Sequence, residues 1–375
     1  MGSIIGNSDD SEDEKTKGIT FHNDDYSFLY TAFLILYNLD NFRKYISEKD
    51  YPDDSGRQLG KLLKRIFSKD KSKINVEKYA KKIYLLIAEK YKLEVVDSAG
   101  KILIIILELI NYEENGKIVN IWENHVLQNQ QLFQNSLNLE QAYKDFINGK
   151  KENHDTKIAK FFQGILLKRK KIYNTNYVFL FSSYFVYELD LPYISFRLIY
   201  KGKNLKNEAK QRLEISLIDC LYEMQTPKND ILNGQPCLTE HFMYNAPPVI
   251  FFLLNRENDT NPNSIFAGDV TFNLKEDFSK LIYDKKNDEE IKYKLISVIK
   301  EKKFNTKKIK KEDNENYEDI KEDNNGKTPD KYLAIYREEE HKFYYYNNIK
   351  KKSKMIDVKK NDDDYYIHLL VYQKC

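Results

Sequence analysis

The chain has 375 residues, 41% of them hydrophobic, enough to bury one large core or two smaller ones. Its 61 Lys and Arg offset 58 Asp and Glu to a formal charge of +3, with both signs interspersed, which excludes an overall basic field of the kind that drives nucleic-acid binding. Three cysteines, Cys220, Cys237 and Cys375, are too few and too scattered for a disulfide framework or a CxxC zinc site, and suggest a reducing compartment.

Residues 1–17, with SDDSEDEK, form an acidic tail with nothing to bury, so disorder is expected there. No basic and then apolar leader opens the chain, and the longest apolar run, ILIIILELI from Ile102, is too short to span a bilayer, so a soluble protein without membrane attachment is expected. Apolar residues recur at spacings of three and four through Phe28 to Leu36, KLLKRIF, KYAKKIYLLIAEKY and Ile102 to Ile110, which predicts helices. From about Phe161 the pattern changes to short aromatic and β-branched runs: YVFLFSSYFVYELDL, YISFRLIY, PPVIFFLLN, KYLAIYR, KFYYYNN and DYYIHLLVYQ. These read as strands. Residues 300–330 are a charged, low-complexity insert of alternating sign, expected to be a solvated loop. No internal repeat is found. Helices followed by mostly antiparallel strands make an α+β protein.

The order of short motifs goes further. ILYNLDNFRKYI looks like a helix end that follows a catalytic cysteine; SAGKILIIILELI at Ser98 looks like DAxEFLxxLLxxL with its Asp and Glu replaced; FFQGILL at Phe161 is similar to FxG. YFVYELDLPYIS at Tyr184 matches an aromatic and then LxLP pattern, and LEISLIDCLYEM at Leu213 the helix after it. APPVIFFLLNR at Ala246 resembles PPxLxxxLxRF, and KYLAIYR, KFYYYNN and YYIHLLVYQK resemble GHYxAYxR, WYxFDD and AYxLxYxR. In this order the segments resemble the ubiquitin-specific protease family. The resemblance implies a papain-like α+β fold with a helical thumb, an antiparallel β palm and β fingers. Residues 18–155 would be mainly thumb and 156–375 fingers and palm.

A thiol protease needs a thiolate, a histidine to generate it and a carboxylate or amide to orient that histidine. Counting back from Asn38 puts Ser27 at the family's cysteine position, whereas aligning the DY dipeptide with Cys-Tyr puts Asp25 there. No cysteine lies nearby in the sequence. The histidine of GHY falls at Lys331, a poor proton acceptor unless strongly desolvated. Asn347 keeps the third position, with no histidine to orient. The asparagine that precedes the family's cysteine has no clear counterpart among Thr20, His22 and Asn23, and the helix's usual Gln is Leu34. Asp25, Ser27, Lys331 and Asn347 are therefore degenerate positions, and a Ser27 nucleophile with Lys331 as base is the alternative.

His22, His125, His154, His241, His341 and His368 have no HxxxH or His/Cys spacing, so they read as surface or core histidines rather than zinc ligands. The segment matching the family's fingers, LLKRKKIYNTNYVFLF, has no CxxC pair, and its aromatics alone are expected to hold it. LKRKKI, residues 167–172, reads as a solvated hairpin tip, with RNA or an acidic protein as the alternative contact. No Gly-rich phosphate loop and no cofactor signature occurs. The 29 tyrosines and 21 phenylalanines supply strand cores, and any exposed on the palm would suit protein binding.

NDDYS at Asn23, YFVYELDLPYIS and PPVIFFLLNR look like one branch of the family, its inactive spliceosomal homologue. That resemblance implies a nuclear scaffold, with spliceosomal snRNP proteins as partners, that stabilises tri-snRNP assembly in pre-mRNA splicing. A cytoplasmic location, a divergent deubiquitinase and a non-catalytic ubiquitin-binding module are the alternatives.

Overall fold

The computed structural model describes residues 27–51, 58–68, 82–87, 98–115, 138–149, 155–172, 177–207, 212–232, 234–258, 261–283, 290–302, 332–339, 342–346, 353–356 and 365–375. The acidic tail and nearly all of the charged insert lie outside them. The helices are α1 Ser27–Tyr37, α2 Asp40–Glu48, α3 Gln58–Phe67, α4 Ala99–Glu114, α5 Leu139–Gly149, α6 Lys157–Phe162, α7 Leu191–Tyr200 and α8 Leu217–Gln225. Residues 82–87 are also helical. The first strands are β1 Gly164–Ile172, β2 Tyr177–Tyr184, β3 Tyr187–Asp190, β4 Lys206–Asn207, β5 Arg212–Ser216, β6 Lys228–Leu232, β7 Gln235–Asn245 and β8 Val249–Asn255. They are followed by β9 Glu257–Asn258, β10 Asn261–Ile265, β11 Asp269–Thr271, β12 Lys275–Asp277, β13 Lys292–Lys302, β14 Tyr332–Glu339, β15 Lys342–Tyr346, β16 Ser353–Ile356 and β17 Tyr365–Lys374.

The larger sheet runs β16-β15-β14-β13-β17-β8-β3, with β12 pairing β13, and only its β3–β8 pair is parallel. Both faces of its centre are covered. Along β8, Val249, Phe251 and Leu253 join one core with α1 to α4 and α6, while Ile250, Phe252 and Leu254 join another with α7 and α8. Burial on both faces explains why VIFFLLN is a continuous apolar run rather than an alternating one. In α1, Phe28, Leu29 and every residue from Thr31 to Tyr37 are buried, as suits a helix apolar on all sides.

The helical part closes on itself through polar caps. Asn38 Nδ2 donates to the Leu34 carbonyl at 2.7 Å and ties off the end of α1. Phe42, the aromatic of the Phe-Arg pair, is almost fully buried against Phe67, Phe161 and Phe162. Arg43 stays at the rim, paired with Asp40 at 2.9 Å.

The second sheet, β2-β1-β7-β6, is wholly antiparallel and contains the segment expected to form the fingers. Aromatics do not hold it alone. Ala142 and Phe146 of α5 pack on Leu167, Phe181 and Tyr244, and ion pairs join the strands. LKRKKI lies in β1 within this sheet rather than at a hairpin tip. Leu167 is fully buried, Arg169 binds Glu240 through two bonds of 2.7 and 3.0 Å, and Lys170 binds Asp230 at 2.8 Å. Two of its four cations are thereby neutralised inside the protein.

YISFRLIY, read as a strand, is helical in α7. The local signals explain the difference. Asp190 accepts the Tyr193 N–H as N-cap, and Pro192 occupies the first turn, where its missing N–H costs nothing. Leu213 to Ser216, assigned to the helix LEISLIDCLYEM, belong to β5; α8 starts after Ser216, whose Oγ accepts the Asp219 N–H.

Candidate functional site

Ser27 is the first residue of α1, while Asp25, Lys331 and Asn347 lie outside the described residues. The elements beside them are neighbours. α1 packs against α4 and β14, and β14 pairs with β15. Tyr332, next after Lys331, pairs with Glu301, and Glu301 pairs on its other side with Tyr366, so Tyr332, Glu301 and Tyr366 form one row across the sheet. Tyr346, just before Asn347, pairs with Ala334 near the same end of β14.

All three cysteines are described, and none belongs to α1 or its surroundings. Cys220 is buried in α8, on the face of the large sheet opposite α1, and burial pushes its thiol far above its ordinary range. Cys237 is buried in the fingers among Val178, Leu180 and Leu232. Cys375 is exposed just past β17, whose ten residues carry it about 30 Å from the Tyr332–Glu301–Tyr366 row.

That row carries a polar constellation missed in the sequence. His368 Nδ1 lies 2.9 Å from Glu301 Oε2, and His368 Nε2 lies 3.4 Å from Ser98 Oγ. Ser98 is the N-cap of α4, and its Oγ also accepts the Lys101 N–H. His368 and Glu301 are nearly buried and Ser98 is half-buried. The pairing of β13 with β17 shifts here: Ile299 opposes Leu369, Lys300 opposes Ile367, and His368 is the extra residue of a β-bulge. A bulge re-aims a side chain. Ile367 thus faces the α7 and α8 core while Leu369 faces the thumb, and His368 between them turns to the thumb's Ser98.

Arg256 buttresses the row from beneath. It is buried, donates to the carbonyls of Phe266, Gly268 and Ile367, and stacks over the Tyr366 ring at 4.4 Å. Desolvation brings its guanidinium down to about 10, opposed by Tyr366, Asp269 and Glu301, so it stays charged at neutral pH.

Of the six histidines, His22, His125, His154 and His341 lie outside the described residues. His241, in β7, has a buried Nδ1 with no hydrogen-bond partner among the described residues. Among the described residues no group of His, Cys, Asp and Glu is arranged to hold a metal, and no helix is long and apolar enough to cross a membrane. A cavity of about 300 Å³ lies away from the His368 row, between Phe42, Phe161, Val249 and Gln373.

Compared by sequence alone, the chain matches no family model and no curated protein. Its structure matches solved ones. A yeast SAGA deubiquitinase module with an Sgf73 mutant aligns at a TM-score of 0.58 and 13% identity, covering 93% of this chain and 66% of that one. A module of a Ubp8 variant with Sgf11, Sus1 and Sgf73 aligns at 0.59 and 14%, covering 100% and 72%. The Ubp8 module bound to ubiquitin aldehyde aligns at 0.55 and 12%, covering 94% and 68%. The fold is that of a ubiquitin-specific protease. This chain spans about two thirds of the length of these structures.

In the light of that fold, α1 to α4 with α6 are the thumb, the large sheet the palm and β2-β1-β7-β6 the fingers. The Ser98–His368–Glu301 array stands where thumb meets palm, beside the strand end that leads to Lys331. Its only trace in the sequence is a serine opening an apolar helix and a lone polar residue in an apolar strand.

Proposed function

We propose that the chain is a ubiquitin-specific protease homologue without the family's thiol chemistry, acting as a protein-binding scaffold in pre-mRNA splicing, where it supports assembly or stability of the tri-snRNP. The carrying observation is the distribution of thiols: one buried in α8, one buried in the fingers, one at the end of β17, and a serine at the head of α1. A thiolate nucleophile needs an accessible sulfur beside a base, and a deeply buried thiol resists ionisation. On this reading the chain is a pseudoenzyme with respect to thiol proteolysis.

Two further observations support a binding role. The solved neighbours are modules in which Ubp8 is assembled with Sgf11, Sus1 and Sgf73, a precedent for this fold working inside a complex. In addition, Phe196, Ile199 and Tyr200 lie exposed on one side of α7, Tyr200 at 84%, with Phe196 and Tyr200 stacked. Aromatic clusters of this kind anchor protein interfaces. A nuclear location follows from the splicing role.

Affinity purification from the native organism tests the proposal: snRNP proteins are expected, and recovery of proteasome or membrane proteins alone would sink it. Incubation with ubiquitin-rhodamine tests the divergent-deubiquitinase alternative, which turnover abolished by Ser27→Ala would revive. Ubiquitin reading is a second role, favoured by the ubiquitin aldehyde bound to a neighbour of the same fold. Saturable binding in a ubiquitin titration is its test.

A further inference from the structure

We propose that Ser98, His368 and Glu301 form a serine acyl-transfer site at the seam of thumb and palm, suited to carboxylic esters and thioesters. It uses none of the degenerate thiol positions, and it is independent of the scaffold role, since partners can be recovered whether or not it is reactive.

The geometry satisfies a directed chain of hydrogen bonds. Glu301 Oε2, 2.9 Å from His368 Nδ1, accepts the N–H there and orients the ring so that Nε2 faces Ser98. Nε2, 3.4 Å from Ser98 Oγ, accepts the hydroxyl proton. The Oγ lone pair that remains takes the Lys101 N–H at 3.5 Å, so helix capping uses the oxygen's acceptor capacity and leaves its proton for the imidazole. Nucleophile, base and orienting carboxylate thus stand in the order that activates a serine. An N-cap serine needs no imidazole to do its capping work, and the carboxylate meets only the Nδ1 side of the ring. Bringing both to one imidazole takes a bulge at His368.

The surrounding structure holds the array in place. Gly100 lets the first turn of α4 sit against β8, since a Cβ there would lie 2.4 Å from Leu253 Cδ1. Arg256, donating to the Ile367 carbonyl and acting on Glu301 electrostatically, fixes the bulge from the other side. The amides of Ala99 and Gly100, which a helix leaves without intrahelical acceptors, adjoin Ser98 and suit a developing oxyanion.

In the reaction, Ser98 Oγ attacks the acyl carbon as its proton passes to His368 Nε2. The tetrahedral adduct expels the alcohol or thiol, which leaves with that proton. Water, deprotonated by the same nitrogen, then cleaves the acyl-serine to carboxylic acid and restores the hydroxyl. Ser98 and His368 are the catalytic residues, and Glu301 is a positioning residue.

The test is labelling of the full chain with fluorophosphonate-rhodamine, followed by peptide mass spectrometry. An adduct on Ser98 is expected, absent in Ser98→Ala and formed about 100-fold more slowly in His368→Gln. Glu301→Gln is expected to slow labelling similarly, and Glu301→Asp to restore part of the rate, a rescue that a merely structural carboxylate would not give. Circular dichroism checks that each variant folds; should His368→Gln not fold, the comparison of Glu301→Gln with Glu301→Asp decides. No adduct on the folded wild-type chain, an adduct that survives Ser98→Ala, or equal labelling of the two Glu301 variants would overturn the proposal.

Discussion

Glu113 of α4 caps the first turn of α3: its Oε2 accepts the Gly60 N–H at 2.8 Å and its Oε1 the Leu59 N–H at 3.0 Å, and the side chain is buried. A carboxylate at a helix N-terminus satisfies amides that the helix cannot and meets the positive end of its dipole. Glu113→Ala leaves two buried donors unpaired and is expected to cost about 3 kcal/mol, with Glu113→Gln costing roughly half as much because one oxygen remains. The shift in urea midpoint at constant slope measures both.

Much of this fold is legible in the sequence because burial writes itself as pattern. PPVIFFLLN reads as a strand and the apolar spacing of Phe28 to Leu36 as a helix, and both elements form. The α7 segment misleads because Tyr, Ile and Phe favour strands, yet Asp190 and Pro192 start a helix; capping outweighs propensity over so short a stretch. The Ser98–His368 contact is illegible for another reason. Its residues stand 270 positions apart, and the bulge that joins them breaks the period-two pattern from which facing is inferred. The finger ion pairs are hidden in the same way: LKRKKI shows its charges, while Glu240 and Asp230 lie 71 and 60 residues further on.

Arg256 ties three carbonyls from two segments, so its shape matters as much as its charge. Arg256→Lys keeps a cation but cannot span Phe266, Gly268 and Ile367 together. A loss of about 2–4 kcal/mol is expected from the unpaired buried carbonyls and the desolvated ammonium. Full stability in Arg256→Lys would show that the fork geometry is dispensable.

The thiol distribution gives a direct chemical expectation. A ubiquitin vinyl sulfone probe should form no adduct on Cys220, Cys237 or Cys375, and iodoacetamide should modify Cys375 alone while the protein is folded. Mass spectrometry reads both. A vinyl sulfone adduct on any of the three would end the reading that thiol proteolysis has been lost.

The apolar side of α7 offers a test of the scaffold role without loss of fold. Phe196→Ser with Tyr200→Ser changes side chains that are 68% and 84% exposed, so stability is expected to move by less than about 0.5 kcal/mol per site. Recovery of snRNP proteins with the double variant should fall several-fold against wild type in the same purification. Unchanged recovery would move the binding surface elsewhere on the protein.

His241 makes stability depend on acid. Its side chain stands opposite Lys168 across the β1–β7 pair. Burial first, then Lys168 and Lys228, hold the imidazole down at about 4, against an ordinary 6.5. As pH falls below 6.5 the unfolded chain takes up a proton that the folded chain refuses until about pH 4, so stability is full above pH 6.5 and declines between those limits. The loss approaches about 3 kcal/mol at the lower limit. His241→Gln removes the titration together with the unpartnered Nδ1. Urea unfolding at pH 7 and pH 5 should therefore show wild type losing more stability than the variant between the two, and parallel losses would mean that the histidine is solvated in the folded protein.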